Sequence, residues 1–360
     1  MRIIRNIIKV LLPERAYSFF LKIYFSTQRQ AYYQEIDKRA TILMTNIIRH
    51  ADEISPARYA PYEIHNKNGY YGGSHVLKAY AGFSGQYLIK ASLQHGIYFG
   101  TVGEWWSTDI VFPIYLVWGA HHKEVTMEKI QKESYIIGSP FFYAESFFSY
   151  AKIQSEKLRL GKNLLVFPMH SIPRVRVVYD VEKFISHLRK LKNEFDNIRI
   201  CLYYSDIQKK IHEKYLENGF ECVTAGHKFD INFLTRLKSL IMISDATLSN
   251  RVGSYTGYSV YLRKPHRLFC ESYDFEQSNL FSRTLLEKIQ EENKTIQEDE
   301  GYQKIREMFA DNTSFKCLPE HVNAVDPYWG FSEVKTKEAL REIFMEVEKI
   351  YSEAGFMPYR

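Results

Sequence analysis

The residues able to do chemistry in this chain stand just after short apolar runs. Leu93-Gln94-His95-Gly96 puts an imidazole at the end of one such run, before a glycine. A histidine there can act as a general base or as a donor to a leaving group, because its pKa lies near neutrality. Glu104 and Asp109 bracket the stretch Glu104-Trp105-Trp106-Ser107-Thr108-Asp109. A carboxylate beside an indole can bind a sugar hydroxyl while the ring covers the sugar's apolar face, so both are candidate catalytic bases. After Leu164-Leu165-Val166-Phe167 come His170, Ser171 and Arg174. They suit a donor phosphate or the carboxylate of an acidic sugar, which arginine grips as a fork. Tyr204, Ser205 and Asp206 follow the apolar run 198–203, and Gly226, His227 and Asp230 follow 221–224. His227 is placed to touch a base or ribose, while Asp230 is suited to capping the next helix.

The densest cluster lies between Ser244 and Tyr258. Read as a loop between a strand at 240–243 and a helix beginning near Tyr255, it carries Ser249, Asn250, Gly253, Ser254, Gly257 and Tyr258. Free backbone N–H groups and the dipole at a helix N-terminus favour a phosphate, and small residues let the backbone approach it. These residues, with His170, Ser171, Arg174, Tyr204, Ser205 and His227, form the expected donor site.

Such a site needs strands to deliver it. From residue 150 onward, apolar runs of strand length alternate with ten- to fifteen-residue helical stretches, the pattern of βαβ crossovers and a parallel sheet. Strand-like runs at 87–90, 93–96, 114–119 and 134–140 predict a smaller sheet before it. The expected fold class is therefore α/β, with an acceptor-side Rossmann-like domain at 31–150 and a donor domain at 151–330. A helix at about 335–353 lies in a C-terminal segment, 331–360. In the first 25 residues, Ile3, Ile4, Ile7, Ile8, Leu11 and Leu12 recur at helical spacing opposite Arg2, Arg5 and Lys9. That predicts an amphipathic helix within 1–30, lying on a membrane surface or packed on its own domain.

Composition narrows the rest. A hydrophobic fraction of 45% supports real cores, and a net charge of +6 fits anionic partners without selecting one. No nucleic-acid module accompanies that charge. There is no Walker lysine motif, Gly-x-Gly-x-x-Gly, Gly-x-Ser-x-Gly, His-Glu-x-x-His or Asp-x-Asp. Adjacent His121 and His122 are poorly spaced for one metal, and Cys201, Cys222, Cys270 and Cys317 are scattered singly. No metal site, cofactor or disulfide framework is expected, and the compartment is read as reducing.

The Gln94-His95-Gly96 turn, Tyr135-Ile136-Ile137-Gly138-Ser139-Pro140, and Ser249-Asn250 with Gly253-Ser254, Gly257-Tyr258 and Lys264-Pro265 resemble the two-domain GT-B glycosyltransferases. More narrowly, they look like transferases of bacterial O-antigen and capsule clusters, including those using Kdo or sialic-acid-like sugars. The resemblance implies two Rossmann-like domains facing across a cleft, with the donor nucleotide on the second and the acceptor on the first. It also implies a C-terminal helix packing back on the first domain. The family's Glu-x7-Glu pattern is missing, and Tyr258 and Tyr261 stand where an acidic ribose ligand is expected, which favours a CMP-sugar. The expected activity is sugar transfer from a nucleotide sugar to a lipid-linked or surface glycan acceptor. It would take place at the inner face of the cytoplasmic membrane, which residues 1–25 would touch. Transfer of a teichoic-type polyol phosphate is a variant of this reading. A nucleotide-sugar epimerase and a non-catalytic polysaccharide-binding scaffold are the alternatives.

Overall fold

The computed structural model describes residue 34 and residues 63–64, 66–100, 112–172, 175–277 and 283–354. The amphipathic helix expected within 1–30 lies outside the described residues. So do Glu104, Asp109 and Arg174.

Two parallel sheets organise the chain into two Rossmann-like units. The first unit pairs β1 (Ser92–Leu93), β2 (Ile114–Val117) and β3 (Glu133–Ile136) in that order, all parallel. Every residue of β2 is buried, as its unbroken apolar run requires of a central parallel strand. Helix α1 (Gly73–Tyr80) precedes this sheet, α2 (Ala120–Val125) links β2 to β3, and α3 (Pro140–Tyr143) packs against α1. Residues 87–90, expected as a strand, take no regular structure.

After α4 (Tyr150–Leu160), the second unit supplies β4 (Asn163–Phe167), β6 (Asn197–Cys201), β7 (Glu221–Val223), β8 (Ala246–Ser249) and β9 (His266–Leu268). An antiparallel ribbon of β5 (Val175–Tyr179) and β10 (Tyr273–Gln277) stands apart from them. The main sheet has the order β7-β6-β4-β8-β9, all parallel. Its crossovers run through α5 (Val181–Leu191), the pair α6 (Tyr204–Gln208) and α7 (Ile211–Glu217), α8 (Phe233–Ile243), and α9 (Ser254–Tyr261). That is the doubly wound order, and it reverses between β4 and β8. Ligands of such sheets bind outside the strand ends at that reversal.

One segment differs from the sequence reading. Leu240, Ile241, Met242 and Ile243 finish α8 instead of forming a strand, and the strand is Ala246–Ser249. An apolar run of four fits a buried helix turn as well as a strand, so periodicity cannot separate them. What settles the matter is pairing. Asp245 N donates to Asn163 O at 2.8 Å and Asn163 N to Asp245 Oδ2 at 2.8 Å, which registers β8 against β4. Ser249 is thus a strand residue, not a loop residue.

The alternation of β4 feeds two cores. Leu164 and Val166 face a cluster with Phe184, Leu188, Ile198, Ile200 and Leu248, whereas Leu165 and Phe167 turn toward the first unit. On that side one continuous cluster joins Leu116, Trp118 and Phe141 to Tyr258, Trp329 and Leu240. Helices α10 (Arg283–Glu298), α11 (Glu300–Ala310) and α12 (Pro319–Trp329) follow, and α12 packs on both α2 and α9. The last helix, α13 (Lys337–Glu353), lies against the first unit, where Tyr87 Oη donates to Phe344 O and Phe83 packs near Phe344.

Gly257 and Tyr258 belong to this junction. A Cβ on Gly257 would come within 2.5 Å of the Trp329 indole, which is fully buried and donates from Nε1 to Ser254 O at 3.0 Å. Tyr258 stacks on Phe141 at 4.0 Å and accepts a hydrogen bond from Ser139 Oγ. Both were expected at the donor site; their contacts make them part of the packing between units. Gly257→Ala is expected to lower unfolding free energy by about 1–3 kcal/mol through overpacking, read from urea denaturation.

Candidate active site

The carboxyl ends of β4 and β8 meet where the strand order reverses. Asn250 spans that gap: its Oδ1 accepts Met169 N at 2.6 Å and its Nδ2 donates to Glu271 Oε1 at 2.7 Å. Ser249 is fully buried, with Oγ donating to Arg251 O at 2.8 Å and lying 3.1 Å from His266 Nε2. His266 also meets Thr247 Oγ1 at 2.8 Å, and burial pushes its pKa down to about 3, so it is a neutral brace. Gly253 caps α9 in extended backbone and its N–H donates to Thr256 Oγ1; half-buried Ser254 opens the helix. Ser249 and Asn250, expected as phosphate ligands, therefore spend their polar atoms inside the chain and shape the loop from below.

Two basic side chains stand by these strand ends, exposed His170 and half-buried Arg251. His170 is exposed, yet the surrounding protein lowers its pKa by desolvation. Asp206 opposes that shift, and the charges of Arg251 and Lys209 reinforce it. Asp206 is itself buried, with its pKa raised by desolvation, and its carboxylate accepts Ser171 N at 3.1 Å. Ser171 Oγ accepts Val177 N at 3.2 Å. Ser171 and Asp206 thus pin the backbone beneath His170. Arg251 lies over the Tyr273 ring at 5.3 Å and donates to Asn293 Oδ1 at 3.2 Å, with no carboxylate paired to it among the described residues. Sequence reasoning passed over Arg251, because its neighbours looked like the ligands.

A second group of side chains lines the meeting of the two units. His95, at the end of β1, meets Tyr70 edge-on at 5.0 Å, and its Nε2 lies 3.3 Å from Tyr98 Oη. Tyr70 meets Phe229 at 5.3 Å, Phe229 meets His227 at 5.5 Å, and His227 meets Tyr204 at 4.0 Å. Tyr204 packs on Tyr203, which packs on His170 at 4.4 Å. Rings thus run without a break from the end of β1 to the ends of β7, β6 and β4. His95, His170, Tyr204 and His227, expected as site residues, share this wall. Ser205 does not: it is buried within α6.

Gln94 holds the His95 turn in place. Its Oε1 accepts Trp118 N at 2.7 Å, its O accepts Trp118 Nε1 at 3.1 Å, and its amide touches the His122 ring at 3.2 Å. Burial pushes His122 down to about 3, a structural imidazole. A cavity of about 310 Å3 is lined by Ser171, Arg176, Tyr179, Leu202, Asp206 and Lys214 among others. No histidine lines it, so the chemistry is assigned to the wall of imidazoles. Among the described residues no group of His, Cys, Asp or Glu is assembled to hold a metal, and no helix is long and apolar enough to cross a membrane.

No protein-family model matches this chain, and no curated protein matches it. Among solved structures it is similar to the wall teichoic acid polymerase TagF, at 12% identity and a TM-score of 0.40, over 73% of this chain and 69% of that one. It is also similar to S. aureus MnaA in a co-structure with UDP, at 10% identity and 0.34, over 75% and 69%. A third likeness is to a GtfA/B complex, at 10% identity and 0.32, over 77% of this chain and 55% of the other.

Proposed function

We propose that this chain is a glycosyltransferase that moves a sugar from a CMP-activated donor to a lipid-linked or surface glycan acceptor in bacterial polysaccharide biosynthesis, working peripherally at the inner face of the cytoplasmic membrane. The observation that carries the reading is the wall of rings joining His95 of the first unit to His227 and His170 of the second. Transfer at an anomeric carbon needs a base for the incoming hydroxyl and positive charge for the departing phosphate. We assign the first role to His95 on the acceptor side. Arg251 and His170, beside the N-terminus of α9, take the second, with Ser249, Asn250, Gly253 and Ser254 shaping the loop that carries Arg251.

The test is thermal unfolding of the purified chain with CMP, CDP, UDP or GDP. A nucleotide at 100 times its dissociation constant adds about 2.7 kcal/mol to the folded state. One nucleotide is expected to stabilise wild type and to lose most of that effect in Arg251→Ala. If none stabilises the folded protein, the donor-site reading fails.

A further inference from the structure

The loop between β7 and α8 carries a cation that the transfer chemistry above does not use. Lys228 Nζ lies 4.8 Å from the Tyr70 ring centre and 5.2 Å from that of Phe229, and no carboxylate pairs with it among the described residues. The ammonium is half-buried, and desolvation alone lowers its pKa. A lysine that only solubilised the surface would swing into water, since its four-carbon stem is flexible. This one is held between the units by its backbone. Lys228 O accepts Tyr71 N at 2.5 Å, and Tyr71 adopts φ 59, a left-handed conformation unusual for an aromatic residue. Gly72, at φ 75, follows so closely that a Cβ there would sit 2.2 Å from Ile231 O. Strain of this kind concentrates at ligand clamps, because elsewhere nothing compensates for it.

We propose that Lys228, packed on Tyr70 and Phe229, forms an oxyanion subsite that recognises a carboxylate or phosphate group on a substrate of the proposed transferase. The subsite rests on that reading for its substrate but not for its chemistry. A desolvated ammonium packed on two rings gains most from an anion that completes its coordination. The Tyr70 ring, which meets both Lys228 and His95, puts that anion on the acceptor side of the proposed transferase. A sugar carboxylate and a phosphate share the required charge and differ in geometry.

The experiment titrates the full chain with inorganic phosphate and, separately, with glucuronate, following thermal shift and ligand-observed NMR from pH 7 to 10. Wild type, Lys228→Met and Lys228→Arg are compared. At least one anion is expected to bind wild type and to bind Lys228→Met about tenfold or more weakly, the scale of one charge-assisted hydrogen bond. Whichever anion shows that loss names the source. Wild-type affinity should fall as pH rises through the lowered lysine pKa, while Lys228→Arg, charged throughout, keeps its affinity. Lys228→Met should melt about as wild type does, since it removes a desolvated charge that has no counter-charge among the described residues and keeps an apolar stem on the two rings. Equal binding by wild type and Lys228→Met, or no response of wild type to either anion, overturns the subsite. Nucleotide stabilisation of wild type without any anion response sinks the subsite alone. An anion response lost in Lys228→Met, with no nucleotide stabilisation, sinks the transferase reading and leaves the subsite standing.

Discussion

His170→Ala is expected to lower kcat/KM for sugar transfer by about 10²–10³-fold, the usual loss when one preorganised donor to a developing anion is removed. Its melting temperature should change little, because the ring is exposed and among the described residues its polar contact is the weak approach of Nδ1 to Ser171 O at 3.3 Å. The pH dependence separates this role from a structural one. Desolvation holds His170 below the ordinary imidazole value in the free protein. A bound phosphate raises that pKa, so binding takes up a proton, and nucleotide affinity rises as pH falls between the bound and free values. Below the free value the affinity levels off. Asp206 opposes the depression, so Asp206→Asn should lower the free pKa further and move the levelling-off to lower pH. His170→Ala should lose that segment of the profile altogether. A profile identical in all three proteins would remove His170 from the leaving-group side.

The positions of His95, His170, Tyr204 and His227 were legible because each follows an apolar run, and in a parallel sheet the ends of such runs converge. What the sequence could not show is which way a side chain turns. Ser249 and Asn250 have the right chemistry for a phosphate, but each is buried and bonded to its own chain. Period-two alternation would have turned Ser249 inward had β8 been located. The sequence points instead to Leu240-Ile241-Met242-Ile243, which is more apolar than Ala246-Thr247-Leu248-Ser249. Gly257 was read as room for a ligand and is room for Trp329, contributed from 72 residues further along. Lys228 and Arg251 were passed over for a related reason. An isolated cation in a loop carries no pattern, and only the ring faces around it and the lack of a carboxylate partner set it apart.

The loop that bears His227 and Lys228 depends on a buried ion pair, and removing half of it is expected to destabilise the fold strongly. Arg236 and Asp230 side chains are 2% and 1% exposed, with Nη1 to Oδ2 at 2.5 Å. Asp230→Ala leaves that guanidinium without a counter-charge, at a cost of about 3–5 kcal/mol measured by urea denaturation. Arg236 cannot escape to water: it lies on the Phe147 ring at 5.0 Å, and its Nη1 is 3.1 Å from where a Cβ on Gly226 would stand. Replacing both partners, as Asp230→Leu with Arg236→Met, should recover most of the loss, because an apolar pair of similar volume avoids desolvating two charges. Recovery of stability should not restore the site. Asp230 Oδ1 also accepts Asn232 N at 2.9 Å and so fixes the turn that follows Lys228, a bond that leucine cannot make. The double variant is therefore expected to recover most of the stability while binding phosphate or glucuronate more weakly. Were it to bind as wild type does, the ion pair would serve folding alone, and the placement of Lys228 would rest on the Tyr71 contact.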